Sequence, residues 1–204
     1  LEEYITITDF DNSTTWAGSN LNRISGGDFS ATANHVTFKI KGTSFSNSWG
    51  DNRLDYPEQA KNSTLTSSIT WAVSDDNYEV SVSSVSLGLR GYQAVMSTKS
   101  AKGYLKNGAI TGNTEDCQTN GTGTKTLSIS STKLNSPLEL VKTTGGNKVT
   151  YKIPTITFTY KVTHKEYLFG FAATTGVNNN SYGTATAAVT NGTVQAAVGV
   201  TSAS

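Results

Sequence analysis

Apolar residues recur at every second position along most of this chain. Val36, Phe38 and Ile40 make one such set, Ile69, Trp71 and Val73 a second, and Leu127 and Ile129 a third. A period of two sends successive side chains to opposite faces of a β-strand, so each set predicts a strand with one face inward. In two segments the phase changes. Between residues 78 and 90 the inward set runs Val80 and Val82, slips at Ser83-Ser84, and resumes at Val85, Leu87 and Leu89. Between residues 148 and 163 it moves from Val149, Tyr151 and Ile153 to Ile156, Phe158, Tyr160 and Val162, with Pro154 at the switch. A slip of one residue would turn the rest of a strand inside out unless an extra residue is absorbed. Each switch therefore predicts a β-bulge, and Pro154, which has no ladder donor, marks a bulge or a crossing between sheets.

Helical periods are nearly absent, and a single turn around Pro57-Glu58-Gln59-Ala60 is the best candidate. Clusters of Gly, Asn, Ser and Thr at residues 43–55, 107–124 and 143–147 read as loops. Near the C-terminal end, Ala185, Ala187 and Val189 alternate up to Asn191-Gly192, after which Val194, Ala196, Val198 and Val200 alternate again. Asn-Gly between two alternations predicts a tight hairpin, since both residues of its turn accept positive φ. The small side chains would make a thin layer. No stretch is biased enough to be an interdomain linker. The expected fold is all-β, a two-sheet β-sandwich of immunoglobulin-like or jelly-roll-like kind.

The N-terminal end differs from the rest. Residues 3–10, Glu-Tyr-Ile-Thr-Ile-Thr-Asp-Phe, are a strong β segment, whereas the polar run at residues 11–22 has no clear strand pattern. This divides the chain into a terminal strand with its connection, residues 1–22, and a sandwich body, residues 23–204. A terminal strand on a loose connection can fold back or pair with another molecule.

Composition removes several classes of function. Charged residues are 15% of the 204, while Ser, Thr and Asn number 73, and the formal net charge is +1. Nucleic acids and anionic membranes recruit clustered Lys and Arg, so neither partner is expected. No apolar run reaches the roughly 18 residues of a membrane span. The start at Leu1-Glu2-Glu3, with no apolar leader, fits a processed, exported protein.

Candidate chemistry is thin. Cys117 is the single cysteine, and with only His35 and His164 beside it no Cys/His zinc site of usual spacing arises. Asp9-Phe10-Asp11-Asn12-Ser13 alternates oxygen ligands as a calcium loop would, but it lacks the later Gly and Glu, so a turn is the better reading. Asp75-Asp76-Asn77 and Thr163-His164-Lys165-Glu166 read as turns between strands. Serine-hydrolase elbows, zinc-protease helices and phosphate-binding loops are all missing from the sequence. No catalytic residue, metal or cofactor is expected. Sugar recognition has one candidate: Trp49, Asp51, Asn52 and Arg53 combine an aromatic face with amide, carboxylate and guanidinium groups. Five Asn-x-Ser/Thr sequons, at Asn12, Asn62, Asn120, Asn179 and Asn191, lie in expected turns or polar connections. Chance in so Asn- and Thr-rich a chain gives about four to five of them.

An exported all-β chain, poor in charge, rich in Thr, Ser and Asn, with a detachable terminal strand and no catalytic motif, resembles the subunit of a surface filament built by donor-strand complementation. It is most similar in character to the thread-type pilins of thermoacidophilic archaea. The resemblance implies a pilus or thread outside the cell, assembled head to tail from copies of one chain and serving adhesion or biofilm formation. It would make Tyr4, Ile5, Ile7 and Phe10 the donor residues. A carbohydrate-binding or adhesin-tip module, with cell-surface glycans as partners, is the alternative. A viral tube or coat protein, or an enzyme with an illegible site, stands behind both.

Overall fold

A computed structural model describes residues 4–21, 27–43, 53–92, 100–117, 124–167, 188–190 and 193–195. The strands in chain order are β1 (Tyr4–Ala17), β2 (Phe29–Ala33), β3 (Val36–Ile40), β4 (Leu54–Asp55), β5 (Thr64–Val73), β6 (Tyr78–Tyr92), β7 (Ala101–Asn107), β8 (Ile110–Thr111), β9 (Glu115–Asp116), β10 (Lys125–Ser130), β11 (Leu138–Thr144), β12 (Thr150–Ile153), β13 (Thr155–Tyr167), β14 (Ala188–Thr190) and β15 (Thr193–Gln195). One 3-10 turn, Gly18–Asn20, is the only helical piece among the described residues. Two antiparallel sheets pack face to face, a β-sandwich. The first has the order β1-β13-β6-β12-β4, with β10 also on β6, and the second the order β2-β3-β5-β11-β7-β8, with β9 also on β7.

The chain divides into two compact units. The larger, residues 11–74 and 80–161, contains the core. Phe29, Phe38, Ile69, Leu105 and Leu140 from the second sheet and Leu87, Leu89, Leu127, Ile156 and Phe158 from the first are all buried. Each such side chain contributes roughly 1.5–3 kcal/mol when fully removed from water. Val36, Phe38 and Ile40, Ile69 and Trp71, and Leu127 and Ile129, from the alternating sets read in the sequence, are all buried there.

Both phase switches fall where the pattern put them. On β6 the buried set passes from Val82 to Val85, and the ladder to β10 then runs evenly from Ser84 opposite Ser130 to Leu89 opposite Lys125. At Pro154 the strand is interrupted: β12 ends at Ile153, β13 begins at Thr155, and the buried set passes from Ile153 to Ile156. Both strands remain in the same sheet, so Pro154 marks an interruption rather than a crossing to the other sheet.

Local turn chemistry explains the connections. Asn34 and His35 join β2 to β3 with φ of 49° and 65°, the left-handed pair that a two-residue hairpin of right-handed twist requires. The expected helical turn at residues 57–60 is absent. Instead Gln59 bridges Val149 in extended form, because its N–H and carbonyl find partners across the sheet rather than along the chain.

The smaller unit holds residues 1–10, 75–79 and 162–204. Its Asp75 carboxylate accepts the Asn77 N–H at 2.9 Å and its carbonyl accepts the Tyr78 N–H at 3.1 Å, the Asx turn expected there. His164 is not in a turn. It lies within β13 with its ring 5.0 Å from that of Tyr78, because the strand continues while Lys165 donates its N–H to Asn77. In the C-terminal hairpin Thr190 lies opposite Thr193, the register that an Asn191-Gly192 connection produces.

Candidate functional site

Among the described residues, the expected donor strand and its neighbours form the first candidate site. Tyr4, Ile5, Ile7 and Phe10, the expected donor residues, all lie in β1, which forms one end of the sheet order with β13 as its neighbour. The strand does not stop at Phe10. It runs on to Ala17 and turns at Gly18–Asn20, so the polar run expected to be a slack connection is mostly strand. Residues 11–22 are grouped with the larger compact unit and residues 1–10 with the smaller.

The reason lies in which side chains face inward. Asn12 and Thr14 are half-buried and Trp16 is buried, alternating with exposed Asp11, Ser13 and Thr15. Polar inward residues hide a strand from a hydrophobicity pattern. Here Thr14 Oγ1 hydrogen-bonds Tyr160 Oη at 2.7 Å, and that phenol also accepts Asn34 Nδ2 at 2.8 Å. On the outer face Thr15 Oγ1 meets Thr157 Oγ1 at 2.7 Å, and Lys161 Nζ stands 3.8 Å from Asp11.

Trp16 closes the row. Its ring lies 5.2 Å from Phe38, 5.8 Å from Phe29 and 5.8 Å from Phe158, at interplanar angles of 59°, 71° and 74°. Tilted and edge-on geometries of this kind suit the ring quadrupoles and add about 0.5–1.5 kcal/mol per pair beyond burial. The structure thus places a tryptophan of the terminal strand against rings from both sheets.

The remaining candidates are scattered. Trp49, Asp51 and Asn52 lie outside the described residues, and Arg53 is buried, its Nε 3.3 Å from Asp55 Oδ1. Lys152 Nζ reaches the other oxygen of Asp55, also at 3.3 Å. Arg53 is thus part of a buried ion cluster with Asp55 and Lys152. Among the sequons, Asn62 is exposed at a turn with φ of 51°, Asn12 lies within β1 rather than in a turn, and Asn120, Asn179 and Asn191 lie outside the described residues. Asp9 and Asp11 both lie in β1, an extended strand and not a calcium loop. Among the described residues no three His, Cys, Asp or Glu cluster as metal ligands. A groove of about 290 Å³ includes Asp11, Asn12, Ser83 and Lys161 in its lining, so β1 itself forms part of its wall.

Two buried groups escaped the sequence reading. Lys142 on β11 is 2% exposed, donates to Ser67 Oγ at 2.6 Å and stands 3.4 Å over the ring of Tyr56. Among the described residues no carboxylate pairs with it, and burial lowers its pKa to about 7. Cys117 is also buried, and desolvation, helped by Asp116 and Glu115, pushes its thiol up to about 12, which makes it inert. Lys142 sits at an inward position of a strand whose apolar neighbours gave no warning of a charge.

No known protein-family model matches this chain, and no curated protein is similar to it in sequence.

Proposed function

We propose that the chain is the structural subunit of an extracellular filament, a pilus or thread, built head to tail by exchange of its N-terminal strand and serving adhesion or biofilm formation. The observation that supports this most is the placement of β1. Among the described strands it ends the sheet order, with β13 as its one neighbour there. A strand at the end of a sheet order is held by one ladder, and an identical strand from a second copy fits the vacated slot by construction. In the single chain the slot is filled by the chain's own strand, so assembly requires a closed subunit to open rather than an empty groove to be filled. The near-neutral, hydroxyl-rich composition suits a protein that packs against copies of itself, since like-charge repulsion between subunits is small.

Negative-stain imaging of the purified full chain tests the proposal, with filaments as the expected result. Deleting residues 1–10 should abolish them, and a synthetic peptide of that sequence added in trans should raise the melting temperature of the truncated protein. A truncated chain that keeps full thermal stability and ignores the peptide would defeat the reading.

A further inference from the structure

We infer that the exchanged unit is the whole of β1, Tyr4–Ala17, with Gly18–Asn20 as its hinge and Trp16 as the plug that sets register in the next copy. This rests on the strand-exchange reading above and replaces its shorter donor, residues 1–10. The strand is continuous through Phe10 and Asp11, so an exchange ending at Phe10 would have to break a ladder in mid-strand. The first turn is at Gly18. There φ is +56°, a Cβ would meet nothing within 4 Å, and the turn is closed by one bond, Leu21 N–H to the Gly18 carbonyl at 3.0 Å. A glycine in open space reorients at little cost, which is what a hinge needs.

The contacts of residues 11–17 are those of a removable insert. Thr14 to Tyr160, Thr15 to Thr157, Asp11 to Lys161, and Trp16 to Phe29, Phe38 and Phe158 all reach across to elements that stay behind. The bonded threonines stand 146 and 142 residues from their partners in sequence. The strand is joined to the body only through the connection that follows Ala17, so a neighbouring copy at high local concentration competes for the slot. Trp16 makes the exchange specific in register. A slip of one residue would turn it out to solvent and bring Ala17 or Thr15 inward in its place.

Thr15 and Thr157, hydroxyls 2.7 Å apart, supply the test. In full-length Thr15→Cys/Thr157→Cys, oxidation of the monomer should join β1 to its own β13 and block filament formation, and reductant should restore it. Filaments assembled under reducing conditions and then oxidised should run as a covalent ladder on a non-reducing gel. Two single-substitution chains, T15C and T157C, assembled together and oxidised, should give a covalent dimer. Cys117, buried and inert, serves as the background in each single variant. Oxidised monomer that still forms filaments, or filaments that yield only internally linked monomer, would overturn exchange through Ala17 while leaving a shorter donor intact. A full chain that forms no filaments at all would instead overturn the underlying reading, and this inference with it.

Discussion

The larger unit is held together in two different ways along the same strands. Around Trp71 on β5 the interior is aromatic, with Phe38, Phe158 and Trp16 in mutual contact. Four residues along β5, at Ser67, it becomes polar: Lys142 lies against Ser67 and Tyr56, and β4 and β12 bring Asp55 together with Arg53 and Lys152. The aromatic region gains from ring contacts that carry no charge. The Asp55 cluster is stable only while each group keeps its partner, because a charge removed from water regains its solvation only through precise pairing, whereas Lys142 bears its burial without a carboxylate among the described residues. Rings can separate and repack without leaving a charge stranded, whereas parting the ion cluster strands one.

Removing the carboxylate at the centre of the ion cluster should have the largest effect. Asp55→Leu leaves Lys152 and Arg53 buried without it, and denaturant unfolding should register a loss of about 4 kcal/mol. Adding Lys152→Met to that variant should recover part of the loss, and a double variant worse than the single would show that the region is not governed by charge pairing. Trp16→Ala should cost about 3 kcal/mol by emptying its place among three rings, and Trp16→Phe clearly less. If Trp16→Ala melts like the parent, the aromatic region does not anchor β1.

Lys142 sharpens the contrast through pH. The folded protein releases this proton near pH 7 and the unfolded chain only near 10.5, so across that window unfolding takes up a proton. Stability should therefore rise as pH increases from about 7 towards 10.5, while below 7 the full cost of burying the ammonium remains. Lys142→Met should stabilise the protein by about 1–3 kcal/mol at pH 6, and the gain should shrink steadily above pH 7. Thermal melts of both proteins across that range check it, and a gain independent of pH would mean that Lys142 is charged throughout. The smallest effect belongs to the surface pair Lys148 and Glu58, 3.2 Å apart and mostly exposed. Glu58→Gln should change stability by at most about 0.5 kcal/mol, and less in high salt.

The sequence by itself determined what is local. Alternation of apolar residues named the strands that fill the core, and the two breaks in that alternation named the places where β6 changes phase and where Pro154 parts β12 from β13. Asp75-Asp76-Asn77 announced its own turn, because an Asx hydrogen bond spans two residues and needs nothing else. What the tertiary structure decided is what depends on a distant partner. Thr14 can face inward because Tyr160, on another strand, accepts or donates its hydrogen bond, and without that partner the same residues read as a slack polar connection. Asn34-His35 serves as a hairpin turn although its second residue is not glycine, because the paired strands on either side hold it there. Arg53 turns inward because Asp55 and Lys152 are buried beside it, and Lys142 lies under Tyr56 because β11 is central between β5 and β7. Hydrophobic period is a property of neighbours in sequence, but whether a polar side chain may be buried is a property of what meets it in space.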